Sequence, residues 1–326
     1  MVKRILRLAA SAAFAAVLLQ SSALQAQDFP SKPVTIVVPY AAGGTGDIVA
    51  RLIEPELEKA LGQSVIIENK PGAGAAVGSE YVAQAPADGY TVLLGLTALT
   101  IAPNINKKIN YDVEKSFDPV ALVATGTMLL LVNDKQPFQT VPDLIAYAKA
   151  NPGKLGFATS GPNTFPHMML ELFKTTSGID LIHLPYKGGG PSMAGLVSGE
   201  AAVSFDAYTG AKPQLDAGTI RALAVTGPQR WSLLPELPTM IESGVEDFDA
   251  IFWIGALVPE GTPRAVVDKL NAAFNAALSN EQVKKEMSSQ ALDAAPGTPE
   301  DFGKLLSREV ARWGEVVQKA GLTVEQ

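Results

Sequence analysis

Four short segments of this sequence gather the groups that hold or transform small molecules. The first, Ala42-Gly43-Gly44-Thr45-Gly46-Asp47, offers glycine amides, the Thr45 hydroxyl and the Asp47 carboxylate. Such a loop ahead of a helix suits an anion, because free N–H groups and the positive end of the helix dipole face it. A tight turn needing positive φ accounts for the same glycines equally well. Val49 stands where a dinucleotide fingerprint needs its third glycine, and no Gly-Lys-Ser/Thr follows to make a nucleotide P-loop. The second segment, Thr159 to His167, collects Ser160, Asn163, Thr164 and His167. Ser160 and His167 would form a nucleophile–base pair, but the preceding glycine of a nucleophile elbow is missing. His167 and Glu171 share a helical face at i, i+4, with no third ligand signalled for a metal. The third segment joins Lys187 to Gly188, Gly189 and Gly190, another possible anion loop or an exposed turn. In the fourth, Phe205-Asp206-Ala207-Tyr208, Asp206 either reads a ligand hydroxyl or amine or caps its own turn.

The elements that must position these groups follow one grammar of strand, glycine-rich loop and helix. β-Branched and apolar runs at Val34–Val38, Val65–Ile67, Tyr90–Leu94, Val120–Ala124, Met128–Val132, Leu155–Thr159, Leu181–Leu184, Ala201–Phe205 and Ile220–Val225 read as strands. Helical spacing follows Asp47, spans Ala75–Gln84, and opens at Thr140, Pro166, Thr262 and Thr298. Thr140 with Asp143 forms an aspartate version of the capping box. Buried apolar strands alternating with helices indicate an α/β fold with parallel sheet. Each of the four segments follows a strand's carboxyl end, as does Thr97-Ala98-Leu99-Thr100, read as the tail of the third strand. Ligands gather at that end of open α/β sheets, so the spacing implies a cleft between two α/β lobes.

Composition narrows the chemistry. The 326 residues contain no cysteine and two histidines, His167 and His183, which leaves no disulfide, thiolate metal site or cysteine nucleophile. With no paired carboxylates and no acid–base couple, the four segments favour binding over catalysis, with no cofactor and no metal. Acidic residues outnumber basic ones, 33 to 26, against nucleic acid and anionic membrane as partners. Lys3, Arg4 and Arg7 precede an apolar run to Leu19 that is too short for a span, the pattern of a secretory signal peptide, 1–26. Removing those three basic residues takes the net charge from −7 to −10.

Read in order, a longer set of motifs resembles the Bug family, the periplasmic solute-binding components of tripartite tricarboxylate transporters. It comprises Phe29-Pro30-Ser31-Lys32-Pro33, Gly43–Asp47 with Ala50-Arg51, Glu68–Gly74, Ala87–Thr91, Phe117–Val123, Ala148–Leu155, Pro185–Gly189, Arg221–Thr226 and Leu237-Pro238-Thr239. The resemblance covers essentially all of the chain after the leader. It implies a two-lobed Venus-flytrap protein of type II, with two parallel or mixed sheets flanked by helices. Lobe 1 would comprise 27–122 and 252–326, and lobe 2 would comprise 123–251.

The resemblance further implies a small carboxylate ligand. One end would be held by Tyr40, Ala41, Gly43, Gly44, Thr45 and Asp47. Ser160, Asn163, Thr164 and His167 would hold a carboxylate from the other lobe. Asp206, Ala207 and Tyr208 would add side-chain contacts, with Thr97, Ala98 and Gly189 beside them. Common family members have proline and threonine where this chain has Ala42 and Gly46, and small polar residues where it has Pro162, Phe165 and Pro166. Phe165 would narrow the pocket or favour an aromatic ligand. The implied partners are membrane transporter subunits or, alternatively, a sensor kinase. A monomer is the default for a hinge-closing receptor. The rival reading is a secreted hydrolase using Ser160 and His167.

Overall fold

The computed structural model describes residues 29–322, so the expected leader lies outside the described residues. β1 (Val34–Val38) is almost wholly buried and runs parallel to β2 (Val65–Asn69) on one side and β3 (Thr91–Leu96) on the other. The crossovers are helices α1 (Thr45–Leu61) and α2 (Ala76–Ala83), as parallel pairing requires. β3 pairs antiparallel with β9 (Ile251–Pro259), and β9 pairs antiparallel with the first part of β4 (Phe117–Asn133). The two-residue β10 (Asp293–Ala294) covers the other edge of β4 at Ala124 and Thr125.

At Met128 the neighbours of β4 change. From there it pairs antiparallel with β7 (Val203–Ala207) and β8 (Ile220–Val225). β5 (Gly156–Thr159) and β6 (Ile182–Pro185) continue beyond β7 in parallel. The result is an α/β fold on a mixed sheet, in which one strand belongs to two ladders. The two stretches expected as separate strands at 120–124 and 128–132 are this single strand. Thr125, Gly126 and Thr127 stay paired with Trp253, Phe252 and Ile251, so no turn forms between them.

Helices cover both ladders. α4 (Val141–Ala150) opens on the expected capping box, with the Thr140 hydroxyl and Asp143 carboxylate each accepting the other's backbone N–H. α5 (Phe165–Ser177) and α6 (Gly189–Ser198) follow β5 and β6, and α7 (Tyr208–Asp216) follows β7. α8 (Arg264–Leu278) and α9 (Glu281–Ser289) precede the 22-residue α10 (Pro299–Ala320). Two sequence expectations change here. Ala98–Ile105 is a helix, α3, and not a strand tail, and the glycine run at 189–190 is the first turn of α6 and not an open loop. Proline inside α3 and glycines in α6 hide both from propensity; burial of Leu99, Ile101 and Ile105, and of Met193 and Leu196, overrides it.

α3 and α10 each pack into the cores of both ladders. Phe302 and Leu306 lie with Leu93, Leu257 and Trp253, whereas Trp313, Val316 and Val317 lie with Leu130, Phe173 and Phe205. Ile101 and Ile105 belong to this second core, while Leu99 joins the first. The Phe302 ring fits against β9 only because Gly255 has no side chain: a Cβ there would overlap it. Gly255→Ala is therefore expected to destabilise by roughly 1–3 kcal/mol through overpacking, read as a lower urea midpoint. Phe302→Leu added to it should recover part of the loss.

Candidate functional site

The loop after β1 is shaped from within. Gly43 takes φ +83°, and its N–H donates to the Asp47 carboxylate at 2.8 Å. Arg51, one helical turn on, donates to the same carboxylate from Nε at 3.2 Å and forms an ion pair at 3.0 Å. Burial works to raise the Asp47 carboxyl, but the hydrogen bonds from Arg51 and Gly43 outweigh it and hold it below its ordinary value. The Gly44 N–H goes to the Ala41 carbonyl at 3.2 Å. Gly43, Gly44 and Asp47 thus bond to their own loop. The backbone N–H groups of Thr45, Gly46 and Asp47, in the first turn of α1, have no acceptor among the described residues. A Cβ at Gly46 would press on the side-chain methyls of Leu96 and Val38 at 3.1 and 3.3 Å, so a larger residue there would require both to shift.

The loop after β5 is built similarly. Gly161 and Asn163 take φ of +136° and +60°. The Thr164 hydroxyl donates to the Gly161 carbonyl at 2.7 Å, and the Asn163 N–H donates to His167 Nδ1 at 3.0 Å. His167 is 5% exposed, and its ring stacks on His183 with centroids 4.0 Å apart. Its other nitrogen lies 3.9 Å from Glu171. Neither ring nitrogen bonds to Ser160, so the nucleophile–base pair is absent. The N–H groups of Phe165 and His167, at the start of α5, have no acceptor among the described residues. No cluster of three metal-ligating side chains occurs among the described residues.

A cavity of about 570 Å³ separates these loops. Tyr40, Gly74 and Ala98 line it on one side, and Asn163, Thr164 and Phe165 on the other. Ile101 and Ile105 of α3, with Ile109 beyond its end, form an apolar part of the lining that the sequence hides, because Pro103 keeps α3 from reading as a helix. Phe165 is fixed by an edge-on contact with Trp313, ring centroids 5.7 Å apart. The size suits a small metabolite, and burial keeps the Tyr40 phenol neutral by raising it.

A second cavity, of about 680 Å³, lies between α6 and α7 and is lined by Gly189, Gly190, Asp206 and Ala207. Of the residues singled out from sequence, Tyr40, Ala98, Asn163 and Thr164 share the first cavity, and Gly189, Asp206 and Ala207 share the second. Ala41, Gly43, Gly44, Thr45, Asp47, Ser160 and His167 line neither. Thr97 is buried, and its hydroxyl accepts the Trp253 N–H at 2.9 Å. Tyr208 packs edge-on to Trp231.

Asp206 is the titrating group of the second cavity. Burial pushes its carboxyl up to about 6, against one hydrogen bond from the Ala207 N–H. A raised folded-state pKa contributes stability below the unfolded value near 4 and loses it as pH rises through about 6. Asp206→Asn keeps an acceptor for Ala207 and removes the charge. It should stabilise the protein at pH 7 by roughly 1–3 kcal/mol and abolish that gain at pH 4, measured by chemical denaturation at the two pH values.

Comparison with known proteins bears on this geometry. The family model described as "Tripartite tricarboxylate transporter family receptor" matches residues 49–322. A UPF0065 protein from the tcbD-tcbE intergenic region of Pseudomonas sp. (strain P51) is 36% identical over 299 residues, covering 91% of this chain and 89% of the relative. The periplasmic binding protein BugD superposes with a TM-score of 0.71 at 34% identity, over 91% of this chain and 100% of BugD. An R. palustris protein solved with adipate gives 0.74 at 36% identity, over 91% and 99%. MatC from Rhodopseudomonas palustris, with bound malate, gives 0.71 at 33%, over 89% and 100%. BugD and the two R. palustris proteins share this fold along nearly their whole length. By the extent of the family match and of its relatives, the chain belongs to the tripartite tricarboxylate transporter receptor family, the Bug proteins.

Proposed function

We propose that this protein captures a small carboxylate-containing metabolite in the periplasm and delivers it to a tripartite tricarboxylate-type membrane transporter, without covalent chemistry. The observation that carries the reading is the first cavity, set between two loops whose helices begin with unbonded backbone N–H groups. Such groups hold a carboxylate through charge-assisted hydrogen bonds and aligned helix dipoles. The adipate and malate bound by the related R. palustris proteins support the same ligand class. In this reading, residues 1–26 are the export signal, and no helix among the described residues is long and apolar enough to cross a membrane. Lobe 1 comprises 27–122 and 252–326, lobe 2 comprises 123–251, and the lobes close on the ligand as a monomeric type II flytrap. Closure would create the face that the transporter reads. The bridging helices α3 and α10 are the elements that must flex or slide.

The net charge does not oppose this. Surface charges are screened beyond about 8 Å at physiological salt, whereas hydrogen bonds to a charged group contribute about 1.5–3 kcal/mol each. Calorimetry and thermal shift with mono-, di- and tricarboxylates, malate and adipate included, should give saturable binding that changes less than about threefold with added salt. Stabilisation should reach about 2.7 kcal/mol at a hundredfold excess over Kd. Asn163→Asp, which the positive φ tolerates, should weaken binding at least about tenfold by placing a like charge on the cavity wall. No response across the panel would contradict the proposal.

A further inference from the structure

Asn163 lines the ligand cavity in a left-handed backbone conformation, and one hydrogen bond from its N–H, to His167 Nδ1, ties it to α5. That nitrogen accepts only while it carries no proton. The His167 ring lies flat on His183 of β6, with 10° between the planes. His183 Nε2 in turn lies 2.7 Å from the Thr159 hydroxyl, which accepts the Gly161 N–H at 3.3 Å. The two imidazoles therefore grip one loop at both ends, Thr159–Gly161 and Asn163. The ionisable groups around them are each other and, from α5, Glu171 and Lys174, themselves ion-paired at 3.1 Å. β5 contributes only the neutral Thr159.

We infer that the His167 side chain is a positioning group for carboxylate capture and makes no ligand contact itself: its neutral ring, braced on His183, holds Asn163 and the first turn of α5 in the anion-receiving shape, and acidification releases both loop and ligand. Protonation turns Nδ1 from acceptor to donor and sets N–H against N–H at Asn163. Burial lowers both histidines, His183 to about 4, so the pair is neutral at pH 7. The inference rests on the carboxylate-binding function proposed above.

The test measures the Kd of malate and adipate by calorimetry from pH 7.5 to 4.5 for the wild type, His167→Asn and His167→Ala. The asparagine offers an oxygen acceptor near the Nδ1 position and does not titrate. At pH 7.5 binding should fall in His167→Ala and be restored in His167→Asn. Between pH 7.5 and 4.5 the wild type should lose about tenfold more affinity than His167→Asn, the equivalent of one hydrogen bond. The comparison cancels protonation of the ligand and of Asp206. Parallel profiles would overturn the inference, as would affinity that rises on acidification, since that would make His167 a charge contact. A ligand-free arm uses ¹⁵N–¹H spectra: His167 Nδ1 should be unprotonated at pH 7.5, and the Asn163 amide should shift with the midpoint of the ring. A protonated Nδ1 or a flat Asn163 titration overturns it. Failure of both probes to bind the wild type would count against the carboxylate function, and the spectra would still decide the role of His167.

Discussion

Everything in this fold depends on one strand satisfying its backbone in two different ladders. β4 pairs with β9 on one edge and β10 on the other before Met128, and from Met128 onward with β7 and β8, one on each edge. A buried backbone group without a partner is costly, so the handover must be sealed. It is sealed by two threonines: the Thr226 hydroxyl accepts the Met128 N–H at 3.0 Å, and the Thr127 hydroxyl accepts the Gly227 N–H at 2.9 Å. The same exchange fixes the relation between the two ladders. It thereby brings Tyr40, just after β1, and Asn163 and Thr164, just after β5, to the lining of one cavity, while α3 and α10 pack into both cores.

The chemistry that follows is carried by backbone, with side chains in supporting roles. Asp47 lies in the first turn of α1, where a free carboxylate would repel any anion drawn to the open amides of that turn. Arg51 and the Gly43 amide neutralise and occupy it, so it shapes the loop without leaving a bare charge at the helix start. His167 does the same for the second loop through a neutral nitrogen. Both loops close onto their own first helical turn by an i, i+4 contact, and both leave the remaining first-turn amides open. A receptor of this kind needs neither thiol nor metal, which is consistent with a chain that has no cysteine and two histidines, stacked on each other.

How far the sequence discloses this varies by element. Val34–Val38 and Ile220–Val225 are largely apolar runs, interrupted only by Thr35 and Arg221 and bounded by turn residues, and their ends coincide with the strands. Thr140 and Asp143 announce α4 because capping is a local interaction. β4 reads as two strands because Thr125-Gly126-Thr127 looks like a turn; only pairing with Trp253–Ile251, over 120 residues away, keeps it extended. The apolar run 250–258 is too short to span a membrane and is the partner strand itself. For the site, strand ends locate the loops, but which amides stay open is decided by Asp47 and His167 turning back on their own loops. No composition rule reveals that turn, and the apolar wall of α3 lies hidden behind Pro103.

The most direct measurement is a crystal structure of the protein grown with malate or adipate. The account predicts carboxylate oxygens within hydrogen-bonding distance of the Phe165 and His167 amides at the start of α5, with Tyr40 on the facing wall and the α1 first-turn amides toward the ligand's other end. A ligand seated instead in the Asp206 cavity between α6 and α7, with the α5 amides left to solvent, would contradict it.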